Sequence, residues 1–172
     1  EHIDVNILIQ GGAPVGMTNM QDIADIQRKM VKIAEDRMDA IALLDVPASE
    51  QETSRAAAYV GQELNIDSSY GAIYTCDVNI KDTFNDVDVW IPPSSYAAAA
   101  CALTDSEYET WFSPAGMSRG NIPNAKKIRH LYNQGHRDAL EDARVNPIRY
   151  FPKGAGYRLW GSTTLQSMAS AL

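Results

Sequence analysis

Residues 40–47, AIALLDVP, set five apolar side chains in a row and then stop on an acid, a valine and a proline. A short apolar run closed by a turn signal is the expected look of a strand buried on both faces, as inner strands of a parallel sheet are. On its N-terminal side, VNILI (5–9) has the same character and ends at Gly11-Gly12. Between the two runs, Ile23, Ile26, Met30, Ile33 and Met38 recur at helical spacing opposite Gln21, Asp22, Asp25, Arg28, Lys29, Lys32 and Asp36. That pattern predicts an amphipathic crossover helix from Met20 to Met38, with Asn19 as its cap. On the C-terminal side, Ser49-Glu50-Gln51-Glu52 has the S-x-x-E spacing of a capping box. It predicts a helix to about Leu64 with Ala56, Val60 and Leu64 inward. YGAIYTC (70–76) reads as a third strand. Three strands and two helices in one succession predict βαβαβ connectivity, because parallel neighbours need crossovers.

The remainder is more varied. Asp77 to Asp88 is polar around Phe84 and reads as an exposed excursion, followed by an alternating strand, VDVWI (87–91), that Pro92-Pro93 ends. Ser94 or Ser95 is placed to cap a helix from Tyr96 to Leu103, whose alanines permit close packing on a sheet. Trp111 to Gly116 reads as a turn with two aromatic anchors. Asn124 is placed to cap a helix with Ile128, Leu131 and Tyr132 on one face and Lys126, Lys127, Arg129 and His130 largely on the other. Gly135 ends it, His136 to Ala143 forms a second short helix, and Asn146-Pro147 stops that one. Ile148 to Phe151 and Tyr157 to Trp160, joined through Pro152-Lys153-Gly154-Ala155-Gly156, predict a C-terminal hairpin. Thr163 to Leu172 is assigned no structure. The fold class expected is therefore α/β, with a mainly parallel central sheet flanked by helices.

With 172 residues, 45% hydrophobic and 22% charged, the chain has the composition of a globular protein, and its length fits one domain or one domain with a small appendage. Its longest apolar runs fall far short of the ~20 residues a membrane-spanning helix needs. Glu1-His2 leads straight into DVNILIQ with no signal-peptide pattern, so the sequence is expected to begin inside a longer protein. Cys76 and Cys101 lack CxxC spacing and sit among apolar residues, which favours reduced, buried thiols over a disulfide or a zinc site. The net charge of −7 is uneven: Arg119 to Arg158 holds nine basic residues and three acidic ones, leaving −13 elsewhere. Such lopsidedness bears on association between copies or with an acidic partner. It is weak evidence for nucleic-acid binding, since the basic stretch lacks the interleaved aromatics of a single-strand or RNA module.

Three chemical readings compete with a purely structural one. Gly11 to Gly16, after a strand and before a helix with Asp45 ending the next strand, is the loosest form of a dinucleotide turn. Gly-x-Gly-x-x-Gly is absent, however, and Pro14 removes an N–H that a pyrophosphate would use. Ser167-Met168-Ala169 is similar to the nucleophile segment of subtilisin-type proteases, but it lacks the preceding Gly-Thr, and no His-Gly-Thr-His occurs. His2, His130 and His136 are the only histidines. The last two lie in the basic stretch without a paired acid or further metal ligands nearby in sequence.

YNQGHRDALEDARVNPIRYFPKGAGYRLWGSTTL (132–165), together with VWIPPSSYAAAACALTD (89–105) and WFSPAGMSRGNI (111–122), resembles the core of contractile tail sheath proteins of bacteriophages and related injection systems. The resemblance extends back through VNILIQGG and AIALLDVP. It implies a single sheath core domain over residues 1–172, subtilisin-like in topology but without a catalytic triad. It also implies a protomer that polymerises in stacked rings around an inner tube and contracts to drive that tube through a host envelope. The partners implied are other sheath protomers, the tube protein, baseplate and terminator proteins, without cofactor, metal, direct nucleic-acid contact or membrane insertion. The place implied is the virion tail, assembled in the host cytoplasm. The family usually carries a further stretch where Ile122 here meets Pro123, and it continues beyond Leu172 into a C-terminal domain. Lys126, Lys127 and Arg129 are the residues expected to contact an acidic neighbour or the tube.

Overall fold

The computed structural model describes residues 5–13, 16–109 and 111–168. Its main sheet is built from β1 (Ile7–Ile9), β2 (Ile41–Asp45), β3 (Gly71–Thr75), β7 (Val145–Phe151) and β8 (Gly156–Leu159), in that spatial order. All neighbours are parallel except β7 and β8, which form the expected C-terminal hairpin. The α/β reading with a mainly parallel sheet holds. Leu43, Leu44 and Ile73 are buried almost completely, so the continuous apolar runs mark the strands covered on both faces.

Helix α1 (Met20–Arg37) starts where Asn19 accepts a hydrogen bond from the N–H of Gln21, and it buries Ile23, Ala24, Val31 and Ala34. Its stripe is narrower than the sequence suggests, for Ile33 and Met38 stay exposed. At Gly71 α1 passes close to the sheet: a Cβ there would stand 2.9 Å from Val31. The next helix departs from expectation. Ala48–Glu50 forms one 3₁₀ turn, and α2 (Thr53–Ala58) begins after Glu52 with no side-chain cap. The capping box does not form, because Gln51 inside it is fully buried and bonded elsewhere. The helix continues through a π-helical turn, Tyr59–Leu64, which places Tyr59, Val60 and Leu64 in the core.

Asp77 to Asp88 is also not a simple excursion. Strands β4 (Val78–Asp82) and β5 (Val87–Ile91) pair antiparallel, and β6 (Lys127–Ile128) completes a small second sheet in the order β5-β4-β6. Helix α3 (Pro93–Glu107) is longer than read and starts after Pro92, with proline at its first position, where a missing N–H costs nothing. Ala97, Ala98 and Ala100 are buried against the sheet, as the small-residue run implied. A short α4 (Gly116–Arg119) and α5 (Gln134–Asp142), capped by Asn133, complete the helices.

Two positions fix the C-terminal third. Pro147 sits in β7 at the handover from β3, which pairs with Val145 to Pro147, to β8, which pairs from Ile148 onward. Asn146, 1% exposed, donates to the carbonyls of Ile73 (3.0 Å) and Thr163 (2.8 Å) and accepts from the N–H and hydroxyl of Thr163 (2.8 and 3.1 Å). Gly161 passes so close that a Cβ would meet Asn146 Oδ1 at 2.5 Å. Residues 163–168, expected to lack regular structure, are thus irregular yet fastened, and 169–172 lie outside the described residues.

Candidate functional site

The carboxyl ends of β1, β2 and β3 are where an open parallel sheet would hold a ligand. Asp45, 2% exposed at the end of β2, occupies that rim. Its carboxylate accepts from the N–H of Ser94 (2.7 Å), the Ser94 hydroxyl (2.6 Å) and the N–H of Gly12 (3.0 Å). Burial pushes the acid up to about 6 despite these hydrogen bonds. Gln10 Oε1 accepts from the Asp45 N–H, and Gln27 ties to Gln10, to the Asp45 carbonyl and to Tyr59. Gly11 and Gly12 have φ of 71° and 93°, and the Gly11 N–H turns to Ser94 Oγ. The N–H groups that would cradle a phosphate are therefore spent on Asp45 and Ser94, and the carboxylate stands where an anion would be repelled. The nucleotide reading of the glycine turn finds no support in this geometry. Ser94 serves this network and not the cap predicted for it.

A second polar cluster ties the segment 128–132 to the end of β3. Gln51 donates to Asp77 (2.6 Å) and accepts from the Asp77 N–H (3.0 Å), while Arg129 donates twice to Asp77 Oδ2 (3.2 and 2.9 Å). The Tyr132 hydroxyl donates to the Gln51 carbonyl (2.5 Å), 3.1 Å from the Thr75 hydroxyl. Cys76 Sγ exchanges hydrogen bonds with the His130 backbone, and burial pushes the thiol up to about 11, so it is no nucleophile at neutral pH. Cys101 is half-buried and shifted likewise, also to about 11 by burial.

No helix begins at Asn124. That residue adopts φ 61°, the N–H groups of Lys126 and Arg129 bond to the carbonyls of Asn79 and Asp77, and the stretch lies along β4 as a strand. The helical spacing of Ile128, Leu131 and Tyr132 was coincidental: Ile128 and Tyr132 are buried, whereas Leu131 is 70% exposed. The three predicted contact residues are nonetheless neighbours. Lys126 pairs with Asp88 (2.6 Å) and Arg129 with Asp77 (2.9 Å). Lys127 and Arg129 lie over the Trp90 ring at 5.5 and 4.6 Å. Two of the three charges are therefore matched within the chain.

The protease-like elements do not converge among the described residues. Ser167 donates through its hydroxyl (2.5 Å) and N–H (2.8 Å) to Asp67 on the surface, and these bonds hold that carboxyl below its usual range. No histidine joins them. The His130 ring stacks on Tyr132, and His136 lies in α5. Ala169 and His2 lie outside the described residues. Among the described residues no group of histidine, cysteine, aspartate and glutamate is placed to hold a metal, and no helix is long and apolar enough to cross a membrane.

The strand-end rim of this α/β scaffold is filled by its own carboxylate, and its exposed side chains include the aromatics Phe84, Trp111 and Tyr150. The chain belongs to the phage tail sheath family: the family model for the phage tail sheath protein central domain matches residues 3–165. The tail sheath protein of Enterobacteria phage T4 is 32% identical over 190 residues, covering 99% of this chain and 28% of that protein. The tail sheath protein of Vibrio phage KVP40 is 36% identical over 115 residues, covering 65% of the chain and 16% of the relative. The chain thus spans less than a third of the length of these two relatives. Among solved structures, a chain of the anti-feeding prophage baseplate shares the fold with a TM-score of 0.65 at 18% identity, over 87% of this chain and 36% of that one. A chain of the same prophage's contracted helical sheath gives 0.59 at 18% identity, over 90% and 38%.

Proposed function

We propose that this domain is the core of a contractile tail sheath protomer, one that polymerises as stacked rings around an inner tube and shortens to drive the tube through a host envelope. The observation that carries the proposal is the family match across residues 3–165, on a fold whose ligand-binding rim is closed by Asp45. The partners are other copies, the tube, and baseplate and terminator proteins, and the place of action is the virion tail after assembly in the host cytoplasm. No catalysis is involved. Energy resides in the difference between two arrays of contacts, which small terms repeated over many copies decide.

In this reading residues 1–172 form one core domain of a longer protein. The T4 match runs over 190 residues against 172 here, which supports an additional stretch in that relative. We place it at Ile122–Pro123. Strand β1, three residues long at the sheet edge with Ile9 46% exposed, pairs only with β2 among the described strands, and its other edge is one that another chain's arm can extend. Lys126, Lys127 and Arg129 face an acidic neighbour or the tube. Lys127, which has no ion pair among the described residues, carries the larger share. Electron microscopy of the full-length protein tests the proposal: helical tubes are expected, and a lone particle at high concentration with its tube partner present refutes it. Charge reversal at the three basic residues should impair tube-dependent assembly, and unchanged particle yield and length would remove them from the contact.

A further inference from the structure

The β4–β5 hairpin ends in a turn that leaves Phe84 93% exposed. The turn is held firmly. Asp82 accepts from the N–H groups of Phe84 (2.9 Å) and Asn85 (3.3 Å) and from the Asn85 side chain (2.7 Å), and Lys81 binds the carboxylate (2.6 Å) and carbonyl (2.9 Å) of Asp86. The Asp86 side chain is still 90% exposed. A single exposed aromatic is ordinary in itself. What gives this one meaning is a hollow of matching chemistry elsewhere on the molecule.

That hollow, about 370 Å³, lies between α5, the start of β7 and the segment after β8. Arg137, Arg149 and Trp160 line it, with Ser162 exposed beside them. The Arg149 guanidinium rests 4.4 Å from the centroid of Phe151 and 4.6 Å from that of Trp160. Arg137 gives one N–H to the Tyr132 carbonyl (2.7 Å), and burial followed by the nearby Arg149 charge holds it below its usual range. Neither arginine has an ion pair among the described residues, although Asp138 and Glu141 also line the hollow. A guanidinium held against two aromatic rings keeps its N–H donors free for a carboxylate arriving beside an apolar group.

We infer that the hairpin tip of one copy seats in this hollow on the next copy, with Phe84 against Trp160 and the carboxylates of Asp82 and Asp86 facing Arg149 and Arg137. The inference rests on the sheath reading, since it requires a second copy. Tip and hollow are different surfaces, so the contact is head-to-tail and generates rings or open arrays in place of a closed dimer.

The test uses the full-length protein. Thr83→Cys in one preparation and Ser162→Cys in another change exposed side chains and leave Phe84, Arg137 and Arg149 in place, and the two are mixed, polymerised and mildly oxidised. A disulfide needs Cα atoms within about 7 Å. A mixed cross-linked pair is expected, absent from either variant alone and from wild type treated identically. Phe84→Ala and Arg149→Glu should each raise the concentration needed for polymer about tenfold, and Asp86→Arg combined with Arg149→Glu should recover part of that loss. Polymers that form without the mixed cross-link, or that form from Phe84→Ala at the wild-type concentration, overturn the inference and leave the sheath reading standing. Cross-linking of the tip to itself overturns it also. Failure of the wild type to polymerise at all ends both.

Discussion

Replacing Asp45 by Asn isolates the electrostatics of the closed rim. The carboxyl titrates near 3.9 in an unfolded chain and at about 6 in the fold, where burial outweighs its hydrogen bonds. Because the folded value is the higher one, the folded chain holds the proton more tightly. The stability this group lends is full below about pH 4 and is lost as pH rises to about 6. Two pH units at about 1.4 kcal/mol each make that loss about 3 kcal/mol. The Asn variant cannot titrate. Its oxygen still accepts from the Ser94 N–H and its amide can donate to the Ser94 hydroxyl, but the Gly12 N–H is left facing a donor, a constant cost of about 1–2 kcal/mol. Urea unfolding of both proteins in steps from pH 4 to 7.5 reads the two terms separately. Wild-type stability minus variant stability should fall by about 3 kcal/mol across the range, so that the variant overtakes the wild type near neutral pH. A difference that stays constant, or that rises with pH, refutes the account of Asp45 as a charge buried at a cost.

Other outcomes follow from the same geometry. Asn146→Ala removes four hydrogen bonds from a buried position and should destabilise the chain by about 2–4 kcal/mol, with amide exchange speeding most at residues 161–165. Gly161→Ala should be damaging although Ala is the smallest replacement, because its Cβ has only 2.5 Å to Asn146 Oδ1; a melting temperature equal to wild type would contradict this. Ser167, bonded to Asp67 with no histidine joining them among the described residues, should stay unlabelled by a serine-hydrolase fluorophosphonate, and stoichiometric labelling would revive a catalytic reading. Cys76 should resist iodoacetamide at pH 8 in the native protein and react once urea unfolds it.

The parallel sheet was legible because strands covered on both faces must be apolar throughout, and AIALL and YGAIYTC carry that condition openly. The Asn19 cap and the C-terminal hairpin were legible for similarly local reasons. The small sheet was not. Its strands are half exposed, so VNIKD shows little hydrophobic contrast, and the partner β6 is two residues long and recruited from over 40 residues away. KKIRHLY fits a helical period, yet the decisive terms are the bonds of Arg129 and Tyr132 to Asp77 and Gln51, which local sequence does not contain. The capping box failed for the same reason, since Gln51 was claimed by a distant aspartate. The Gly11–Gly16 turn was readable as glycine-dependent, while its true counterpart, Ser94, is 83 residues from Gly11.

Asn146 and the bonds that follow it settle where mechanical load enters the domain. A tug on the chain beyond Thr163 meets the Ser167 bonds to Asp67 and Arg144, the backbone bond from Leu165 to Gly71 and then Asn146, and through them it enters β3 and β7 at the middle of the sheet. Force applied at that point is shared by the strands least able to peel away. A unit wired in this manner would move as one rigid body under such a load.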